Sequence, residues 1–315
     1  MNSKKNNRAQ EILKKISYLL PIAIFAFSLW VLDRGLQPLQ LNEILVSFTD
    51  IELWSVLFAS VFTLLSYIAL LGYDFLAMRY IGQSISYKDI LRSSFTSTSI
   101  SYSIGFNPLT GGSLRYRSYS AYGLTLLQIG KIITFCSITF WLGVCFVGGS
   151  LLSFYPINLP GSLVFYEIML KAFGVCLLLF LICYLVLCLQ HRTFSVKGYE
   201  ILFPDVRTAL LQILVSSLDS IFAGCALYFL LSHSGEISFP YFMAMFLVAQ
   251  TIAYITTIPG GLGAFEALML LALAPHLALE TVIVALVMFR IVYYLTPFLA
   301  GLIVLSYSEF NARKE

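Results

Sequence analysis

Charge is what this sequence has least of. Asp, Glu, Lys and Arg make up 11% of its 315 residues, against about 25% in a soluble domain. Hydrophobic residues make up 59% and the mean hydropathy is +0.87. No water-soluble chain of this length can hide that much apolar surface, so most of it must face lipid or lie between helices that do. The net charge is only +3, too little for a nucleic-acid surface. Three scattered histidines, His191, His233 and His276, do not make a metal site, and none is expected. The six cysteines fall inside apolar runs without a C-x-x-C pair, and read as small hydrophobes of membrane helices. The chain has no G-x-x-x-x-G-K-[ST], no H-E-x-x-H and no G-x-S-x-G. A soluble catalytic domain is not expected, and no catalytic residue or cofactor is assigned.

What is present is long apolar runs. About 20 apolar residues carry a helix across the hydrocarbon, and six stretches qualify: 16–33, 53–78, 128–154, 163–189, 208–231 and 279–305. Two further regions are apolar but interrupted. Residues 90–124 break at Asn107-Pro108-Leu109-Thr110-Gly111-Gly112, and residues 241–274 break at Pro259-Gly260-Gly261-Leu262-Gly263. The expected fold is therefore an all-α integral membrane protein, one polytopic domain over 1–315. It has six full spans and two Gly/Pro-broken re-entrant helix pairs. The basic N-terminus lacks a small-residue cleavage site, so the first span is read as retained. With the N-terminus inside and both broken pairs re-entrant, cytoplasmic segments collect 16 of the 19 Lys and Arg, while the first outer loop carries Asp33, Glu43, Asp50 and Glu52. This positive-inside asymmetry places both termini in the cytoplasm.

An internal repeat is expected as well. Leu64-Leu65-Ser66-Tyr67-Ile68-Ala69 aligns with Leu214-Val215-Ser216-Ser217-Leu218-Asp219, and Gly111-Gly112 lies 149 residues before Gly260-Gly261. An odd number of crossings separates the matched helices, so the halves, 53–150 and 205–305, would be inverted. Paired broken helices in inverted halves point to a transport site near the midplane. A glycine turn followed by a helix start offers free N–H groups to an anion such as phosphate. Arg115 and Arg117 follow the first Gly-Gly pair, although Arg117 also suits a snorkelling anchor. Asp74, Asp219, Glu266 and Arg290 fall within or beside spans, where a charge costs at least ~2.5 kcal/mol. Helix pairing or a functional lining would each account for them.

The stretch Phe106-Asn107-Pro108-Leu109-Thr110-Gly111-Gly112-Ser113-Leu114-Arg115-Tyr116-Arg117-Ser118-Tyr119 resembles the N…TGG-x-LRYR-x-Y signature of the MprF family, the bifunctional lysylphosphatidylglycerol synthetase/flippases. Ile258-Pro259-Gly260-Gly261-Leu262-Gly263-Ala264-Phe265-Glu266 and Arg290-Ile291-Val292-Tyr293-Tyr294-Leu295-Thr296-Pro297 resemble it too. The resemblance covers the membrane (flippase) region and not the C-terminal aminoacyl-transferase domain. It implies translocation of an aminoacylated or modified phospholipid, such as lysylphosphatidylglycerol, from the inner to the outer leaflet of a bacterial cytoplasmic membrane, and with it antimicrobial peptide resistance. Asp74, Arg115, Arg117, Glu266 and Arg290 would bind the head group. Gly111, Gly112, Gly260, Gly261 and Gly263 would break the helices and make room for it. Two alternatives stand beside transport: a membrane scaffold for a separately encoded aminoacyl-lipid synthetase, and a membrane-embedded transferase acting on a lipid-linked substrate. The expected partners are the phospholipid, such a synthetase and a second copy of the chain.

Overall fold

A computed structural model describes residues 51–104, 107–155, 164–190, 193–196, 199–231, 237–255 and 263–312. The helices are α1 (Leu53–Tyr80), α2 (Tyr87–Ile104), α3 (Asn107–Ser120), α4 (Leu126–Phe154) and α5 (Val164–Leu189), then α6 (Val206–Tyr228), α7 (Phe239–Ile255), α8 (Ala264–Leu273) and α9 (Leu279–Phe289). A six-residue π-helical segment, Arg290–Leu295, joins α9 to α10 (Thr296–Ala312). Between α5 and α6 a small antiparallel hairpin pairs β1 (Thr193–Val196) with β2 (Tyr199–Leu202).

Five helical segments are long and apolar enough to cross a membrane: Leu53–Tyr80, Leu126–Phe154, Glu167–Leu189, Val206–Tyr228 and Leu279–Tyr307. They coincide with five of the six expected spans; the sixth, 16–33, lies outside the described residues. The protein is an all-α multi-pass membrane protein. The interrupted regions behave differently. The ten residues of α8 reach only about 15 Å at 1.5 Å per residue, half the hydrocarbon thickness. Lys88, Asp89 and Arg92 open the 18-residue α2, and its core is Ser and Thr.

Polarity is inverted relative to a soluble fold. α5 turns Ile168, Met169, Phe173, Leu179, Phe180 and Ile182 outward, as a lipid-facing helix should. α2, among the least apolar helices, is packed inside, with Ser93, Ser94, Thr96, Ser97, Thr98, Ser99 and Ser101 all buried. Small hydroxyl residues let backbones approach closely in a membrane, where apolar burial gives no advantage over lipid. Some of the hydroxyls of α2 bond within the helix: Ser101 Oγ donates to the Thr98 carbonyl (3.2 Å) and Ser103 Oγ to the Ser99 carbonyl (3.3 Å).

α1 and α6 lie antiparallel. Phe62 stacks on Phe229 at 5.3 Å, Ser66 bonds Asp219, and Gly72 rests against Val215, so positions rise along one helix as they fall along the other. α4 crosses α6 at Gly143, where a Cβ would lie 2.5 Å from the Ser216 carbonyl carbon. Helix starts are capped by sequence. Thr125 and Gln128 form a capping box on α4. Asp205 caps α6, and hydrogen bonds from Thr208 hold its carboxyl below the ordinary value.

Candidate functional site

The break expected over Asn107–Gly112 is not there. α3 begins at Asn107 and runs through Gly111 and Gly112 without interruption. Pro108 sits in the first turn, where its missing N–H is no loss, so this dipeptide starts a helix. Two glycines in a helix cost about 1 kcal/mol each against alanine. Close packing explains their presence: a Cβ at Gly112 would meet Ile133, and one at Gly111 would lie 3.1 Å from Ser101 Oγ and 3.4 Å from Arg115 Nη1. Gly111 thus makes room for α2 and for the Arg115 guanidinium. In the second region, Gly260 and Gly261 lie outside the described residues. Gly263 is described, and its φ of +86° is one that side chains avoid. It opens α8, and its N–H donates to Glu266 Oε2 at 2.8 Å.

Four of the expected residues come together as two ion pairs. Arg115 of α3 grips Asp74 of α1 with both prongs of its fork, Nε to Oδ1 at 3.0 Å and Nη2 to Oδ2 at 2.8 Å. Ser94 of α2 donates to the same carboxylate at 2.7 Å and Tyr119 of α3 at 2.9 Å. Asp74 is fully buried and Arg115 is 13% exposed. Three elements therefore converge on one carboxylate, which accepts four hydrogen bonds. In the other pair, Arg290 Nε donates to Glu266 Oε1 at 2.6 Å, and its guanidinium lies over the Tyr294 ring at 4.5 Å. The pair links α8 to the π-helical segment, a local irregularity that recurs at functional sites. Arg117, two residues beyond Arg115, is exposed and makes none of the four hydrogen bonds to Asp74.

A cleft of about 60 Å³ opens beside the first pair, lined by Arg115, Tyr73, Thr98, Ser101, Tyr102, Ser137 and Tyr254, with Leu70, Ile133, Cys136 and Phe140. Its polar lining is six hydroxyls and one guanidinium. Sequence reasoning had assigned none of the hydroxyls; the Ser/Thr run of 93–101, too polar for lipid, was the available signal.

Asp219, expected within a span, does not itself line the cleft. It is buried in α6 and accepts hydrogen bonds from Ser66 (2.6 Å) and Tyr73 (3.0 Å) of α1. Ser66 also shares a 2.8 Å bond with Tyr293 Oη of the π-helical segment. Tyr73 lines the cleft, so a chain of hydroxyls runs from the cleft through Asp219 toward the segment that carries Arg290.

Comparison with known proteins agrees with the motifs. The chain is 32% identical over 289 residues to the uncharacterised protein slr0712 of Synechocystis, covering 90% of each. It is 28% identical to the inner membrane protein YbhN of Escherichia coli, covering 99% of this chain and 97% of that one. It is 26% identical over 320 residues to a phosphatidylglycerol lysyltransferase of Staphylococcus aureus. The chain belongs to the family of the MprF membrane region. It spans 97% of its own length but only 36% of that lysyltransferase. No family model matches it.

Proposed function

We propose that this protein translocates an aminoacylated or otherwise modified phospholipid, such as lysylphosphatidylglycerol, from the inner to the outer leaflet of a bacterial cytoplasmic membrane. The observation that carries this reading is the cleft at Arg115. A buried guanidinium, aimed by Asp74 through Nε and Nη2, lines a hydroxyl-walled space inside a membrane protein. Guanidinium and hydroxyl groups are the donors a phosphodiester takes. A water needs roughly 10–15 Å³, so a cleft of about 60 Å³ holds a few waters or one phosphate group, with the acyl chains left in lipid.

In this mechanism Arg115 exchanges part of its hold on Asp74 for the phosphate, and the freed carboxylate meets a cationic head. Glu266 and Arg290 repeat the arrangement at the second helix start, in keeping with two inverted halves, 53–150 and 205–305, that move against each other. The inner-membrane setting is taken from the YbhN relative, and cytoplasmic termini from the distribution of Lys and Arg.

The test is reconstitution into liposomes with chain-labelled lysylphosphatidylglycerol and phosphatidylglycerol, and a leaflet-accessibility readout. Accelerated leaflet exchange of either lipid, reduced tenfold or more by Arg115→Lys, is expected. Exchange at the protein-free rate for both would remove the reading. A second reading, a membrane partner for a synthetase, draws on the lysyltransferase relative, in which the matched segment is part of a longer chain. Capture of a soluble synthetase without lipid movement would favour it.

A further inference from the structure

The two buried aspartates are held in opposite ways. Asp74 accepts four hydrogen bonds, two of them from a guanidinium, and only an anion can use four donors. Asp219 has two donors, both hydroxyls, and among the described residues it bonds no Lys, Arg or His. Its neighbours on α1 are Ser66, Tyr67 and Tyr73; α2 contributes Tyr102, and the π-helical segment Tyr293 and Tyr294. The other helices packed on α6 are α4, α5, α7 and α9. Their charged residues are Lys131, Glu167, Lys171 and Glu280, with none on α7, and none of them bonds Asp219. An uncompensated carboxylate at 4% exposure is costly in a low-dielectric interior, and such groups adopt the neutral form when a proton can reach them.

The hydrogen-bond chain accommodates either form. Between Ser66 Oγ and Tyr293 Oη either atom can be the donor. With Asp219 ionised, Ser66 donates to Oδ1 and accepts from Tyr293. With Asp219 protonated, the new O–H is on Oδ2 and donates to Tyr73 Oη, whose own hydrogen turns to the cleft, while Oδ1 goes on accepting from Ser66. Tyr73 passes its proton to Oδ2 and takes another from hydronium in the cleft, which leaves as water, so the carboxyl gains one proton and no hydrogen bond to it is lost. A route exists too, because Tyr73, the second donor, lines the cleft. We infer that Asp219 is a proton-binding site, placed between α1 and α6 and loaded from the cleft, through which translocation is driven by a proton gradient. Its use rests on the translocation reading; its existence does not.

Two measurements separate those statements. Infrared difference spectroscopy of the full chain in liposomes should show a carboxylic-acid C=O band that grows as the pH is lowered from about 8 to about 5. Asp219→Asn should remove the band and Ser66→Ala, which deletes the donor to its C=O oxygen, should shift it. In the liposomes used for lipid exchange, a one-unit pH gradient is worth about tenfold per proton. The rate ratio between the two gradient directions should be fivefold or more for the natural chain and below twofold for Asp219→Asn. A carboxyl ionised throughout that range overturns the proton site, even if lipid moves. A titrating carboxyl with neither lipid moving supports the proton site and removes the lipid. Lipid movement indifferent to pH gradients, or following a sodium gradient, overturns the inference.

Discussion

Arg115 is both the candidate ligand for phosphate and the counter-ion that keeps Asp74 tolerable. Removing one partner of a buried pair leaves an uncompensated charge, typically a loss of 3–5 kcal/mol. Arg115→Ala should therefore lower the thermal midpoint of the detergent-solubilised protein and its accumulation, apart from any effect on transport. The paired change Asp74→Asn with Arg115→Gln removes both charges together and should recover most of that stability while transport stays lost. If the single change melts like the natural chain, Asp74 is not dependent on Arg115. Arg115→Lys keeps the charge but loses the two-pronged geometry, which makes it the cleaner probe of function. At Arg117, exposed and off the pair, alanine should change melting little.

Helix by helix, glycine is a contact residue more than a breaker. Gly143→Ala would drive a methyl into the Ser216 backbone, and overpacking of this kind costs roughly 1–3 kcal/mol. Gly130→Ala, with open space around it, should be neutral or slightly stabilising on helix propensity. Equal melting of the two variants would mean that α4 and α6 pack less closely than described. The same distinction explains what could be read from the sequence. The five spans were legible because hydrocarbon tolerates only apolar runs. Asn107–Gly112 was misread because adjacent glycines weaken a helix locally, while the packing of Gly111 on Ser101 and Gly112 on Ile133 that offsets the weakness is tertiary. The four charges were legible as costly residues; that Asp74 takes Arg115 and Glu266 takes Arg290 was not, since the partners are 41 and 24 residues apart. The π-helical segment has no residue signature at all. At the start of α6, Asp205 contributes its cap while ionised. Because its folded pKa is lowered, that contribution is present at neutral pH and is lost as pH falls through the lowered value. Asp205→Ala should cost about 1 kcal/mol at pH 7 and less in acid, by thermal melting at the two pH values.

Across the whole molecule, orientation is the property that transport depends on most. Single cysteines placed in a cysteine-free background should label from the cytoplasmic side at positions 88, 197 and 314, and from outside at 43 and 236. External labelling at position 197 would remove both the positive-inside assignment and the inversion of the two halves. One feature of the fold also constrains how the protein is made. α2 hides its hydroxyls against α10, with Ser99 filling the notch left by Gly301, yet about 200 residues of chain separate these partners. During synthesis the α2–α3 pair emerges with α1 beside it but before α10 exists to cover its hydroxyls. A helix so polar has little reason to leave the insertion machinery for lipid. Its entry must wait for the last helix, and a chain stopped after Leu295 should leave residues 87–120 open to added protease.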